Sequence, residues 1–454
     1  MVKKKQDLKS HKKCAEKLLL QFAKTLKKFF PDFDKYLGGI SDPRQEKKCD
    51  YRLKDLMLLS LLLLALAMNS RNNYNSELRY TESLAVLNNL FGLKLESMPH
   101  GDTLAYLWKR LSTDDLEHLR QVMIVTLVRG KYLDKFRFRG TFFVAFDGVE
   151  LYRWDKKHCD NCLYAKVNDK YQYFHRVLEA KIVCANGFAI SIASEFIENS
   201  AGKEDDKQDC ELKAFHRLAA KVKKLFGRLP LTLLADSLYP NGPVFKRCSD
   251  YNWNFIFVLQ ESVLKSLWQD FHGIFNLTEA AIGAKLKQDE FFKEKRRYRW
   301  VNKLDYEGTD FNGKVNLLVI SSENNKALYQ TRRAFITNHK ITESSALKIE
   351  ASGQLRWKIE NQGFDIQKHH GYNLEHTYSK EPNAMKVVYL LIQIAHIINQ
   401  LFLQANLFKA CDGLSLTACF SKILEAIHQG WTDSLADKWR IISKRRLQAS
   451  FQPP

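Results

Sequence analysis

Two aspartates stand where apolar strand-like runs end, and a glutamate lies far downstream among basic residues. Asp147 falls near the end of 141–151 (TFFVAFDGVEL), and Asp236 directly follows 229–235 (LPLTLLA). A carboxylate at the end of a buried strand is costly unless it is paired or holds a cation. Acids that converge there could grip two divalent ions about 3.5–4 Å apart, the arrangement that cuts or transfers a phosphodiester. Mg2+ suits such a site, because it takes few protein carboxylates and leaves positions for phosphate oxygens; Mn2+ accepts the same ligands. The third acid should come from a late helix beside the same sheet edge. Glu360 has Arg356 one turn before it and Lys368 about two turns after, cations that could hold phosphates. The Arg356/Glu360 spacing equally describes an ordinary surface ion pair.

A second constellation is His158-Cys159-x2-Cys162, with His175 following in YQYFH. Two thiols and a histidine at this spacing suit a structural zinc site, with His158 or Cys210 as the fourth ligand. The nine cysteines are sparse and odd in number, which suits a reducing, cytoplasmic setting rather than a disulfide scaffold.

The elements that must position these groups follow from periodicity. Residues 1–135 read as helical, with apolar positions three and four apart (Leu18, Leu19, Phe22, Leu26), an apolar run at 56–68 and a cap at Asp102 or Thr103. The run at 56–68 is too short for a bilayer span of roughly 20 residues, so a buried helix is expected. No apolar segment with a cleavage site follows the basic start of the sequence, so no secretory signal is read there. From 141 the pattern becomes strands at 141–151, 171–184 and 188–197, with a hairpin turn at Asn186-Gly187. An amphipathic helix at 207–226, a strand at 229–235, a helix opened by Pro240 and a strand at 254–259 complete the order. Antiparallel strands followed by parallel, helix-separated ones predict an α/β, ribonuclease-H-like core. Residues 136–260 are its first part, 261–340 a β-rich insertion, 341–375 the Glu-bearing helix and 376–454 a C-terminal helical region. That helix is expected to run unbroken from Thr342 to about His369, despite Gly353.

The chain of 454 residues carries 71 Lys and Arg against 51 Asp and Glu, a net charge of +20. Such an excess points to a polyanion, with nucleic acid the commonest. Basic residues gather in the first 50 positions, at Lys293, Lys295, Arg296, Arg297, Arg299 and Lys303, and at Lys438, Arg440, Lys444, Arg445 and Arg446. The middle cluster is interleaved with Phe291, Phe292, Tyr298 and Trp300, and Trp300 could stack on an unpaired base.

The segments AFDGVEL (145–151), KQDCE (207–211), LLADSLYP (233–240) and RWKIENQGF (356–364), with DPR (42–44) and ESMPHGDT (96–103), together resemble the DDE transposases of bacterial insertion sequences. The branch with a β-rich insertion in the RNase H-like core is the nearest in pattern. The resemblance implies a catalytic triad of Asp147, Asp236 and Glu360 holding two Mg2+ ions, DNA ends as substrate, a Trp of the insertion stacking on a base, and a dimeric synapse contacted through the C-terminal helices. The helical N-terminal region would then read the terminal inverted repeats. In related transposases a Tyr-x2-Arg-x3-Glu-x6-Lys signature surrounds the third acid. Here Gly353 takes the Tyr position and Gln367 the Lys position, with Lys368 one residue late. Glu350 and Glu375 stand as alternatives for the third acid. Two other functions fit the same residues: an RNase H-like nuclease that does not join strands, and a silent DNA-binding descendant of a transposase.

Overall fold

The computed structural model describes residues 2–199, 208–277, 285–289, 294–324, 330–404 and 414–444. A ten-stranded sheet runs through the molecule. Its strands are β1 (Phe142–Trp154), β2 (Leu163–Val167), β3 (Lys170–Val183), β4 (Ala189–Ile197), β5 (Leu231–Ala235), β6 (Asn254–Val258), β7 (Lys285–Asp289), β8 (Glu294–Gly308), β9 (Phe311–Asn324) and β10 (Gln330–Thr337). The order is β2-β3-β1-β5-β6-β10-β9-β8-β7, with β4 also paired to β3. β1, β3 and β4 are antiparallel neighbours, whereas β5 runs parallel to β1 and β6 parallel to β5.

Two features depart from the sequence expectation. β2 was not anticipated; it forms a hairpin with β3 through Asn168 and Asp169, both at positive φ, the conformation that two-residue hairpins require. The β-rich stretch is not a separate sheet, because β10 pairs antiparallel with β6 and carries the central sheet onward into β9, β8 and β7. It also contains a helix, α10 below, where only strands were expected.

The helices are α1 (Val2–Phe29), α2 (Phe33–Gly38), α3 (Leu53–Ala65), α4 (Arg71–Leu78), α5 (Thr81–Phe91), α6 (Gly101–Trp108), α7 (Thr113–Arg129), α8 (Glu211–Leu225), α9 (Gly242–Asp250), α10 (Lys265–Leu277), α11 (Glu343–Gln354), α12 (Asp365–His369), α13 (Pro382–Gln404), α14 (Leu416–His428) and α15 (Asp433–Lys444). Strand alternation assigns the two sheet faces. Phe146 packs edge-on against Phe215 of α8, placing α8 on one face. Lys181, the cross-strand partner of Ala145, donates to Gln393 of α13, so α13 covers the other.

α3 is apolar on every side and is buried throughout its middle turns, with α2 and α13 packed against it. α13 alone is long and apolar enough to cross a bilayer among the described residues, yet most of it is buried in protein. Its polar residues have specific partners: Gln400 pairs with both backbone groups of Ala189, and Asn399 donates to Ala65 O and the Tyr372 hydroxyl. α14 packs on α1, α4 and α5, and α15 on α1. The N- and C-terminal helices therefore form one bundle, although the sequence reads as two separate regions.

Caps explain small shifts in boundary. His100, not Asp102 or Thr103, caps α6 by accepting the Asp102 N–H. Asp102 then sits in the first turn, where a negative charge favours the helix dipole, and pairs with Arg71 at 2.5 Å. Asn241 caps α9 and Pro243 lies in its first turn, so Pro240 precedes the helix rather than opening it.

Candidate active site

β1 and β5 run in parallel register, Ala145 opposite Leu234. β5 ends one residue later, at Ala235, so Asp236 leaves the strand on the side of β1 that carries Asp147, and its charge acts on the Asp147 carboxyl. The Asp236 side chain accepts the Leu238 N–H at 2.9 Å, an Asx-type turn that ends the strand. The Asp147 carboxylate accepts its neighbour Gly148 N–H at 2.9 Å.

A further carboxylate arrives from the opposite face. Glu211, in the first turn of α8, lies against Gly148, where an added Cβ would stand 2.7 Å from its Oε2. It accepts the Tyr239 hydroxyl at 2.8 Å. Burial pushes the Asp147 carboxyl up to about 6; Arg356 opposes this, and the charges of Glu211 and Asp236 add to it. Burial likewise raises Glu211, against its Tyr239 hydrogen bond and the Arg176 charge. Three carboxylates thus gather in this corner, with Arg356 and Arg176 as the cations that act on them. KQDCE stood among the segments that carry the family resemblance, but nothing in its composition assigned Glu211 to this corner.

Arg356 reaches Asp147 Oδ2 at 3.4 Å. It lies in a turn that interrupts the expected long helix: α11 stops at Gln354, just past Gly353, and a π-helical segment, Ile359–Phe364, leads into α12. That segment packs on β1 and β4 and carries Glu360. Glu360 makes no side-chain hydrogen bond or ion pair among the described residues, but its charge acts on the buried Lys181. Burial depresses Lys181 to about 8, countered mainly by Glu179. The π segment also accounts for the late lysine. A π turn takes about one residue more than an α turn, so Lys368 returns to the helix face of Glu360. Gln367 turns into the core, bonded to Gln393 and His396.

Residues 206–398 match the family model of the transposase DDE domain. The chain carries a transposase DDE domain. A comparison with curated proteins finds no match. The DDE domain match takes in Asp236, Arg356 and Glu360; Asp147 lies before it and meets Arg356 directly, with the Asp236 charge acting on it. Transposase function implies a DNA partner for the basic chain.

Within the DDE domain, the missing signature tyrosine has a steric cause. A Cβ on Gly353 would stand 2.3 Å from the Phe335 ring, so β10 already fills the space. Gly353→Ala is expected to cost about 1–3 kcal/mol through overpacking, read as a lower urea midpoint; an unchanged midpoint would show that Phe335 moves freely.

Of the two alternatives for the third acid, Glu350 is buried, accepting the Tyr298 hydroxyl at 2.6 Å with Arg296 and Arg333 at 3.8 and 3.7 Å. Glu375 pairs with Lys368 at 3.1 Å. Arg296, Arg297 and Arg299 lie along β8, with Arg296 engaged by Glu350. Trp300 is half-buried and packs against the core. The exposed tryptophan near the acids is Trp357, 55% exposed with the Arg356 guanidinium 4.2 Å from its ring centre. Lys438 and Arg440 are paired with Glu16 and Asp437. Lys293, Phe291, Phe292, Arg445, Arg446 and the Lys295 side chain lie outside the described residues. His158, Cys159, Cys162 and His175 come together beyond the far end of β1; Cys210 is exposed and outside that group.

Proposed function

We propose that this chain is a DNA transposase that cuts the ends of an insertion sequence and joins them to target DNA. The observation that carries this reading is the Arg356–Asp147 contact, made four residues before Glu360, with the Asp236 charge acting on the same carboxyl, in a chain whose DDE domain match spans Asp236 and Glu360. The strand order β4-β3-β1-β5-β6, antiparallel and then parallel, supports an RNase H-like core.

Asp147, Asp236 and Glu360 would hold the metal, and the donor chemistry fits: oxygen ligands only, with Asp147 pushed up to about 6 by burial and its carboxylate neighbours Glu211 and Asp236. Two Mg2+ or Mn2+ ions bound there would supply Lewis-acid stabilisation of the entering and leaving oxygens. Arg356 favours the ionised form of Asp147 against burial, and its guanidinium can also hold a phosphate oxygen in a bidentate fork. Lys368, on the Glu360 face, would hold the strand further along. Trp357, exposed beside Arg356, offers a ring for an unpaired base. The basic surface binds the DNA backbone, so affinity falls steeply with salt. A second copy completes the synapse. Because α13 is buried in the protomer, the outer side of α15, with Ile441 53% exposed, is the C-terminal surface that could meet it. The setting is the cytoplasm of a bacterium.

The test supplies the full chain with Mg2+, a DNA fragment spanning its own gene and flanks, and a target plasmid. Cleavage at short inverted repeats and a joined product are expected. Glu360→Gln should remove both products by at least ~10²-fold while DNA binding persists. Cleavage that survives this change would show that Glu360 is not the third acid, and release without joining would favour a simple nuclease.

A further inference from the structure

We infer that His158, Cys159, Cys162 and His175 form a structural zinc site that fastens the β1–β2 connection to β3. The four donor atoms lie within 4.8 Å of one another. Cys159 Sγ stands 3.3 Å from both Cys162 Sγ and His175 Nε2. His158 Nδ1 is 3.2 Å from Cys162 Sγ, and its Nε2 is 3.2 Å from His175 Nε2. Zinc bonds of about 2.0–2.3 Å in a tetrahedron place ligands roughly 3.3–3.8 Å apart, close to these separations. Two thiolates and two imidazoles satisfy zinc's preference for sulfur and nitrogen donors and neutralise its charge.

The walls are already built. The His158 ring centre lies 3.8 Å from that of Trp154, and Trp154 meets His175 edge-on. Cys162 and His175 are buried. Three ligands come from the connection after β1 and the fourth from β3, so one ion would close the loop onto the sheet.

The loop in turn holds the chain that leads to the acid corner. Asn161 Nδ2 donates to Asn199 O at 3.1 Å, and Asn199 Nδ2 donates to Cys162 O at 2.9 Å. Tyr164 exchanges hydrogen bonds of 2.7 and 2.9 Å with the Gln208 side chain. Gln208 stands just before α8, whose first residue is Glu211, the neighbour of Gly148. The zinc site would thus position the entry to α8 without touching the reacting phosphodiester, and it does not depend on the transposase reading.

The experiment measures zinc in the tag-free full chain by plasma mass spectrometry. About one zinc per chain is expected, falling at least ~tenfold in Cys159→Ser/Cys162→Ser. A second measurement needs no variant: native thiol titration before and after chelation of the wild-type chain should expose about two additional cysteines. Absence of zinc, zinc retained by the double variant, an unchanged thiol count, or a Cys159–Cys162 disulfide found by mass would each overturn the assignment.

Discussion

Asp147→Asn is expected to abolish strand cleavage and, at the same time, to make the metal-free chain more stable at neutral pH. The catalytic loss should be ~10²–10³-fold or more, the scale of a removed electrostatic stabiliser, with binding to DNA ends preserved. The gain in stability follows from the raised pKa, about 6 in the fold against 3.8 for the free side chain. A folded-state pKa above the unfolded one means that the native chain binds more protons between those values, so this group's contribution falls as pH rises from about 4 through 6. At pH 7 the ionised carboxyl then costs about 3 kcal/mol, and asparagine removes that cost while still accepting from Gly148 and Arg356. The melting temperature of the variant should exceed that of the wild type at pH 7.5, with the gap closing towards pH 4. Added Mg2+ should raise the wild-type value and leave the variant's unchanged. A variant less stable than wild type at pH 7.5, or one that still cuts, would remove Asp147 from the site.

The second large effect lies directly behind that site. Glu179 is the cross-strand partner of Asp147 and is fully buried, and two like charges facing each other destabilise a sheet. Arg120 of α7, also fully buried, offsets this. It donates to Ser191 and Ser194 at 2.6 and 2.8 Å, pairs with Glu117, and lies 3.7 Å from Glu179. Ser191 and Ser194 in turn donate to Glu179. Arg120→Ala should cost about 3–5 kcal/mol, because it strands a buried carboxylate rather than merely deleting a contact. Urea unfolding measures this. Arg120→Met combined with Glu179→Gln should recover part of the loss but not all, since Glu179 no longer needs Arg120 while Lys181 loses the charge that counters it. A loss below about 1 kcal/mol for Arg120→Ala would mean that the network holds little of the fold.

How much of this was legible differs from residue to residue. Asp147 and Asp236 stand out because each interrupts or follows an apolar run; Asp236 does lie just past β5, whereas Asp147 lies inside β1, which continues to Trp154. The Cys-x2-Cys spacing with two histidines was equally readable, because metal ligands keep local separations that a sequence shows directly. Glu211 was not assigned a place in the corner, since that depends on a helix N-terminus meeting Gly148 and Tyr239 from another strand. The break after Gly353 and the π segment escaped for a similar reason. A helical period of 3.6 describes the residues on either side, and one inserted residue is visible only as a signature lysine displaced by one position.

Sequence alone determined most of the strands around the acids, the basic character of the chain and the family resemblance, because periodicity, charge and motif spacing are local properties. Tertiary structure decided that β10 joins β6 so that the insertion extends the central sheet, that the terminal helices share one bundle around α13, and that Arg356 rather than another cation meets Asp147. Those outcomes depend on pairings between residues far apart in the chain, where the hydrophobic effect rewards burial without specifying the partner. The choice among partners falls to register, steric fit and the compensation of buried charge.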